Sequence, residues 1–321
     1  MSTGAPEPAP RAAHDRWVGE APAKVNLFLR ILAREEDGYH QIETVFQTLD
    51  LADAVELELQ TGSEITLELT GVSEGELGPP EANLAVVAAE RFQRALVEVA
   101  RDPPGVRVRL EKRIPHGAGL GGGSSDAAAV LRGLNVLCGE PLTPEELMRL
   151  GAAIGSDVPF FVSGVPSAVG RGRGERLLAL SPLPERDVLL AVPASPVSTA
   201  WAYEVLDSHR ARTRPGGRPD PIPHRLDSGK GERGWDVVRE EAVNDFEEAL
   251  FPLRPELSLL KEALVREGAG PALLSGSGSA VFGVFDSKEA LDRAASVLGS
   301  HDTTSFGVGV RFLTARTARG G

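Results

Sequence analysis

The sequence of 321 residues contains a single cysteine, and what it lacks excludes several classes of protein. Cys138 alone forms neither an internal disulfide nor a thiolate metal site, so we expect a reducing compartment, the cytoplasm. No run of 18 apolar residues occurs, which argues against a membrane span. A net charge of −12 argues against nucleic-acid or anionic-membrane partners. The remaining possibility is a globular protein, long enough for two domains.

Lysine and tyrosine are also scarce. Five lysines stand against 29 arginines, and one of them, Lys24, lies in an apolar setting. The two tyrosines are Tyr39 and Tyr203. The few residues of these types are therefore candidates for specific roles.

Two segments are poor in the residues that build a core. Residues 1–16 are rich in alanine and proline, and we expect a disordered tail. Residues 208–234 hold seven Arg or Lys, five Gly and four Pro, without an aromatic residue. This composition predicts a mobile insert, with a basic flap over an anionic substrate or a partner-binding site as alternatives.

Glycine, in contrast, is concentrated in one place. Five glycines lie between Gly117 and Gly123, after Pro115 and before a helix predicted over Ala127–Leu137. Backbone N–H groups in such a loop, together with a helix N-terminus, bind anions such as polyphosphates. A merely mobile surface loop is the alternative.

Two common phosphate-binding motifs fit this segment poorly. A P-loop needs Gly-Lys-Ser/Thr, but the only Gly-Lys pair, Gly229-Lys230, is followed by glycine. Gly117, Gly119 and Gly122 match the dinucleotide pattern formally. However, the preceding strand, Val106–Leu110, alternates apolar and polar residues, unlike a buried parallel strand. A Rossmann oxidoreductase is thus disfavoured.

Pro115–Ala128 resembles the ATP loop of the GHMP kinases. Ala21–Leu29 and Leu274–Phe282 match two further motifs of that family, in the right order. The resemblance implies an α+β, two-domain GHMP kinase fold. Its N-terminal domain, residues 17–180, would carry the ATP loop and a left-handed β-α-β unit. Residues 181–321 would form a C-terminal α/β sandwich domain that includes the mobile insert.

Four segments narrow the resemblance to one branch of the family: Pro22–Asn26, Asp37–His40, Thr44–Asp50 and Gly155–Phe161. That branch phosphorylates the 2-hydroxyl of a methylerythritol that bears a cytidine diphosphate group, in the non-mevalonate route to isoprenoid precursors. The resemblance implies ATP as phosphoryl donor, Mg²⁺, and this small molecule as partner. No metal ligand is assigned, and the oligomeric state stays open.

Two residues are the candidates for catalysis. Asp157 lies between Gly155-Ser156 and the apolar run Val158–Phe161, a setting that can hold a carboxylate in a partly dry site. From spacing alone, Asp157 is better interpreted as a cap or turn aspartate. Lys24 is likewise better interpreted as an exposed strand lysine. The resemblance implies instead that Lys24 and Asp157 are catalytic. Which of them takes the proton of the substrate hydroxyl stays open.

The resemblance also implies two sets of binding residues. Asn26 would contact the erythritol, and Tyr39 and His40 would bind cytosine by stacking and hydrogen bonding. Thr199 and Tyr203 match a threonine and an aromatic residue near the base, and Tyr39 and Tyr203 could sandwich it. A hairpin tyrosine with a surface histidine is the alternative. The ATP-binding set comprises Pro115, His116, Gly117, Ala118, Gly119, Leu120, Gly121, Gly122, Gly123, Ser124 and Ser125.

Other functions remain in competition at this point. A kinase of the same family could act on a smaller alcohol, such as mevalonate or homoserine, or the protein could bind nucleotide without catalysis. We also expect Lys112 and Arg113 to concentrate positive potential near the phosphates, because the chain as a whole is acidic.

Periodicity predicts the main elements. We expect separate strands over Trp17–Val25, Asn26–Ala33, Gln41–Leu49 and Ala54–Leu59. Thr143 should cap a helix that ends near Gly155, and a short helix should cover residues 198–207.

Overall fold

The structure is a computed structural model that describes residues 15–73, 75, 77–213, 232–300 and 306–318. Its first sheet has six strands: β1 (Arg16–Arg34), β2 (His40–Gln60), β3 (Ile65–Thr70), β4 (Gly105–Glu111), β5 (Ser167–Gly172) and β6 (Arg176–Ala179). Hydrogen bonds order them β3-β4-β2-β5-β6, with β1 paired to β2.

The first two strands are longer than the sequence indicates. Each of them joins two predicted strands into one, and their antiparallel pairing shifts register at Pro22/Lys24, Asn26/Phe28 and Ile31/Ala33. A bulge moves the following side chains to the other face of the sheet, which disrupts the alternation that periodicity detects. Long stretches of both strands are also buried on both faces, because helices pack on one side and residues of the second sheet on the other.

Helices cover one face of this sheet. They are a 3₁₀ turn (Pro80–Ala82), α1 (Leu84–Glu98), α2 (Gly122–Leu137), α3 (Pro144–Ala152) and α4 (Val158–Ser163). Thr143 caps α3 with a complete capping box, as predicted, but α3 ends earlier and α4 follows separately. The parallel pair β3 and β4, joined through α1, supplies a β-α-β unit whose handedness stays a prediction. Phe46, Phe92, Leu131 and Phe160 belong to the core between these layers.

The second sheet is antiparallel, in the order β10-β7-β9-β8, and is built from β7 (Asp187–Pro193), β8 (Ala272–Leu274), β9 (Val281–Phe285) and β10 (Val310–Arg316). Its helices are α5 (Thr199–Thr213), α6 (Glu232–Glu241), α7 (Phe246–Leu250), α8 (Pro255–Arg266) and α9 (Lys288–Ser300). A further core cluster, with Val25, Leu190 and Phe282, joins the two sheets.

Several predicted boundaries change. The helix predicted over 198–207 continues to Thr213, and residues 232–234 begin α6, so both ends of the predicted insert are helical. Residues 214–231 of that insert, and residues 1–14 of the predicted tail, lie outside the described residues. Arg16, at the end of the predicted tail, already begins β1. The division into domains at residues 180 and 181 stays a prediction. No helix in the described part of the chain is long and apolar enough to cross a membrane.

Candidate active site

The glycine loop lies between β4 and α2 and ends in the first turn of that helix. α2 begins at Gly122, five residues before the predicted start, with Gly121 as its N-cap in the left-handed conformation (φ 74°). The first intrahelical bond at this end joins Ser125 N to Gly121 O (2.9 Å). The N–H groups of residues 122–124 therefore have no partner within the helix and point toward the loop, which suits an anion.

The loop is fixed by residues that are distant in sequence. Lys24 N donates to Leu120 O (2.9 Å), and Ala280 N donates to Ala118 O (3.0 Å). Ser275 Oγ donates to Gly119 O (2.9 Å). At Gly119 (φ 76°) a Cβ atom would lie 2.0 Å from the Ser275 carbonyl oxygen, so only glycine allows this approach. The loop is thus clamped between β1 and the turn that follows β8.

Lys24 and Asp157 meet beside this loop. Lys24 Nζ lies 3.4 Å from Asp157 Oδ2, with the lysine side chain 4% exposed and the aspartate 28% exposed. Nζ also donates to Asn26 Oδ1 (2.7 Å) and to Gly119 O (3.0 Å). Asp157 directly precedes α4, but within the described chain its side chain makes no capping hydrogen bond. Lys24 is therefore not an exposed strand lysine, and the Asp157 side chain does not act as a helix cap.

Asn26 is engaged at both ends of its amide. Its Oδ1 accepts from Lys24, and its Nδ2 donates to Thr44 Oγ1 (2.7 Å), which in turn donates to Phe28 O (2.8 Å). The side chain is buried, at 3% exposure. This network orients Lys24, whereas a contact of Asn26 with substrate stays a prediction.

An aromatic group lies at the other end of the site. The rings of His40 and Tyr203 stack at 4.5 Å with an interplanar angle of 21°. Tyr203 also contacts Phe246 edge-on at 5.0 Å. Burial, with the negative charges of Asp157 and Asp207, raises the pKa of Tyr203 to about 12, so its hydroxyl stays neutral. His40 is buried rather than a surface residue, and its Nε2 lies 2.8 Å from Asp207 Oδ1.

Tyr39 and Thr199 take different positions around this group. Tyr39 is exposed, and its ring lies 4.0 Å below the guanidinium of Arg173, which Glu35 and Asp37 hold in place. Thr199 Oγ1 lies 3.0 Å from Ser277 Oγ, in the turn after β8. The ring that stacks on Tyr203 is therefore His40. That Tyr39 and Tyr203 sandwich the cytosine stays a prediction.

One cavity of about 710 Å³ joins the two ends. Nine predicted site residues line it: Lys24, Asn26, Tyr39, His40, Gly119, Gly121, Asp157, Thr199 and Tyr203. Pro115 and His116 instead line a second cavity of about 780 Å³, together with Lys112 and Arg113. The side chains of Ala118 and Leu120 pack in the core, so only their backbone atoms can face a nucleotide.

The predicted role of Lys112 is wrong. Lys112 is buried, and its Nζ donates to Asp53 and to Asp126 Oδ2 (2.7 Å). Its charge is neutralised by these two carboxylates, so it is not available to a phosphate. Arg113 is exposed but is paired with Glu111 at 3.0 Å. Next to the glycine loop, the loop's own N–H groups and Lys24 remain as the positive groups.

Some lining residues were not found by the sequence analysis: Arg34, Arg173, Asp207, Phe246 and Ser277. Asp207 had a usable signal, because it follows Thr199 and Tyr203 at intervals of four residues on one helical face. Arg173 had none, since the pairing of β2 with β5, which sets Ile42 opposite Gly172, is what brings it to Tyr39.

Comparisons with known proteins agree with this geometry. Models of the GHMP kinases N terminal domain and the GHMP kinases C terminal domain match residues 83–165 and 234–302. A 4-diphosphocytidyl-2-C-methyl-D-erythritol kinase of Solibacter usitatus (strain Ellin6076) is 41% identical over 295 residues, which cover 92% of this chain and 87% of that protein. A protein of the same name from Moorella thermoacetica is 43% identical, with 87% of this chain and 93% of that protein covered. The chain belongs to the GHMP kinase family.

Solved structures of GHMP kinases extend the match. A crystal structure of a 4-(cytidine 5'-diphospho)-2C-methyl-D-erythritol kinase superimposes with a TM-score of 0.72 at 35% identity, covering 95% of this chain and all of that one. A homoserine kinase from Cytophaga hutchinsonii, at 18% identity and a TM-score of 0.69, shares the fold. The predicted GHMP kinase fold and the kinase class are therefore confirmed, and the Rossmann oxidoreductase is excluded.

Proposed function

We propose that this GHMP kinase transfers the γ-phosphoryl group of ATP to the 2-hydroxyl of 4-diphosphocytidyl-2-C-methyl-D-erythritol, in the non-mevalonate route to isoprenoid precursors. One observation carries the proposal: a single cavity joins the Lys24–Asp157 pair to the stacked His40 and Tyr203. Relatives named for this substrate are 41% identical over 92% of the chain. A reducing compartment suits its single cysteine, so we expect it to act in the cytoplasm.

The glycine loop is the proposed site of the ATP phosphates. The free N–H groups of residues 122–124 and the positive end of α2 complement their charge. Gly119 O accepts from Lys24 Nζ at 3.0 Å, so the proposed phosphate loop is next to the proposed catalytic pair. Phosphoryl transfer depends mainly on such positioning and charge neutralisation.

The hydrogen bonds of Lys24 suggest which residue takes the proton. An ammonium group has three N–H donors, and Nζ faces three acceptors: Asn26 Oδ1, Gly119 O and Asp157 Oδ2. A lysine that accepted a proton would need a free lone pair, and this arrangement offers none. We therefore assign proton acceptance to Asp157, with Lys24 as the positive charge beside it. Their separation of 3.4 Å suits a site that tightens when substrate binds.

Phosphoryl transfer forms one bond to phosphorus and breaks another. The substrate 2-hydroxyl oxygen forms a bond to the γ-phosphorus, and the bond from that phosphorus to the β–γ bridging oxygen breaks. The hydroxyl proton moves to an oxygen of Asp157, and ADP leaves. Lys24 stabilises the alkoxide character that develops on the attacking oxygen.

Mg²⁺ is expected to enter with ATP. Among the described residues no group of three His, Cys, Asp or Glu side chains forms a ready metal site. That suits an ion held largely by phosphate oxygens and water, with one or two protein oxygens. The Ser124 hydroxyl, on the first turn of α2, would supply one such oxygen. The ion would neutralise charge on the β- and γ-phosphates.

The alternatives explain less of the site. Mevalonate and homoserine have no base, so the stacked His40 and Tyr203 would have no ligand. A protein that only bound nucleotide would have no need for a buried Lys24 directed at Asp157.

The test is ATP consumption by the purified protein in the presence of Mg²⁺. The cytidine substrate, mevalonate and homoserine are offered in parallel, with Asp157→Asn as control. We expect turnover with the cytidine substrate only, and its loss in the variant. Turnover with another alcohol alone would contradict the proposed substrate. ATP binding without turnover of any alcohol would support the non-catalytic alternative.

A further inference from the structure

We propose that Asp207 is a specificity-determining residue that orients His40 to bind cytosine rather than uracil. The inference rests on the proposed function, since it concerns the base of that substrate. On α5, Thr199, Tyr203 and Asp207 recur every fourth residue, and all three line the cavity.

His40 is held in two directions. Tyr203 stacks on its ring at 4.5 Å and fixes the plane, while Asp207 Oδ1, at 2.8 Å from Nε2, fixes the rotation within that plane. The second oxygen of Asp207 lies 3.5 Å from Arg34 Nη1, so the carboxylate also pairs with a guanidinium group. His40 itself is 8% exposed, so its ring has little freedom to turn.

This arrangement decides which ring nitrogen carries hydrogen. An ionised carboxylate only accepts hydrogen bonds, so Nε2 must be the N–H nitrogen. In the neutral ring Nδ1 is then a bare acceptor, and it is the ring nitrogen that remains for a ligand. The exocyclic amine of cytosine is a donor and pairs with it. Uracil presents a carbonyl oxygen at the same position, and two acceptors repel.

The substitution Asp207→Asn tests the assignment. Asparagine has nearly the same shape but can also donate through Nδ2, which allows a bare Nε2 and an N–H at Nδ1. That second tautomer donates to the carbonyl of uracil. The variant should therefore lose selectivity while it keeps the packing of α5. Glu204→Gln is the matched control, since it removes a carboxylate from the same helix without changing the one that is bonded to His40.

Binding of CDP and UDP is measured by calorimetry for wild type and both variants, with melting temperatures as a check on folding. We expect wild type to prefer CDP, the preference to fall by about tenfold in Asp207→Asn, and Glu204→Gln to keep the wild-type ratio. In the kinase assay Asp207→Asn should raise KM for the cytidine substrate and change kcat by less than about threefold, because the Lys24–Asp157 pair is untouched.

The outcomes separate this inference from the proposed function. An unchanged CDP preference in Asp207→Asn, in protein that turns over the cytidine substrate, overturns the role of Asp207 alone. An equal fall in both variants also overturns it, because charge and not the bond to His40 would then be responsible. Wild-type protein that binds CDP and UDP alike overturns the inference, and wild-type protein that binds neither nucleotide contradicts the cytidine substrate as well.

Discussion

Two buried lysines flank the first turn of α2 and have opposite surroundings. A Cβ atom on Gly121 would lie 3.1 Å from Lys24 Cγ, and one on Gly122 would lie 3.4 Å from Lys112 Nζ. Lys24 faces a cavity, and its carboxylate partner is 28% exposed. Lys112 is enclosed by Asp53 and Asp126, whose side chains are 0% and 3% exposed.

The difference shows that burial of a lysine does not by itself indicate catalysis. Asp53 binds Lys112 and also accepts from the backbone N–H groups of Arg113 (2.5 Å) and Ile114 (2.8 Å), so this cluster fixes the chain that enters the glycine loop. Lys24 instead contacts a carboxylate that solvent and substrate can reach. We therefore expect one lysine to determine activity and the other to determine stability.

The largest effect should come from Asp157→Asn, which removes the proposed proton acceptor beside Lys24. We expect kcat to fall by about 10²- to 10⁴-fold, the range typical of general-base catalysis. ATP affinity and the melting temperature should change little, because Asp157 makes no capping bond to α4 within the described chain. Steady-state kinetics and thermal unfolding provide the two readouts. A stable variant with near wild-type kcat would contradict the assignment.

Lys112→Met should have the opposite effect to Asp157→Asn, with a large loss of stability and little change in kcat. It leaves the Asp53 and Asp126 carboxylates buried without their cation, which costs about 3–5 kcal/mol of unfolding free energy. Lys261→Met is the control, because Lys261 pairs with Glu247 at a more exposed site and should cost about 1 kcal/mol or less. Urea unfolding measures both. If Lys112→Met kept its stability but lost ATP affinity, Lys112 would belong to the nucleotide site and the comparison would fail.

Gly119→Ala probes the loop that carries one partner of Lys24. The new Cβ would lie 2.0 Å from Ser275 O, so the clamp must open. Gly139→Ala is the matched control, with a similar φ (75° against 76°) and nothing within 4 Å of the new atom. We expect Gly119→Ala to be less stable than the control by about 1–3 kcal/mol and to bind ATP more weakly. Equal unfolding free energies would show that the loop is not clamped.

The smallest effect concerns pH at the Lys112 site. Burial, reinforced by the charge of Asp53 and opposed by Lys112, raises the pKa of Asp126 from 3.8 to about 7. The folded protein then binds more protons than the unfolded chain between these values, so stability is lost as pH rises through this window. Asp126→Asn should remove on the order of 2 kcal/mol of the stability difference between pH 5 and pH 8. Urea unfolding at both pH values tests this, and an identical pH dependence in the two proteins would contradict it.

The sequence was sufficient for the site near Lys24 but not for the cluster around Lys112. The glycine loop, the motif around Lys24 and the segment around Asp157 each have local signals, and the structure brings all three together. Asp53 has no such signal, because it lies within a strand and its partners are 59 to 61 residues away. A buried charge of this kind becomes recognisable only when the pairing of β2 with β4 is known.

The same limit explains the errors in secondary structure. Local alternation divided β1 and β2 into four strands, because bulges shift the side chains and a buried strand loses its polar face. β6 and α6 were missed, since β6 is short and α6 follows a segment with the composition of a loop. The packing partner, and not the local pattern, decides these elements.

The clamp on the glycine loop also constrains how the enzyme is made. The loop at residues 118–120 is complete only when Ser275 and Ala280 reach it, about 160 residues later in the chain. During translation the N-terminal half emerges from the ribosome first and can begin to fold. Its phosphate loop is without those contacts until nearly the whole polypeptide has been synthesised. A nascent or prematurely terminated chain consequently contains Lys24 and Asp157 but not the assembled site, so we expect the order of synthesis to suppress ATP hydrolysis by unfinished molecules.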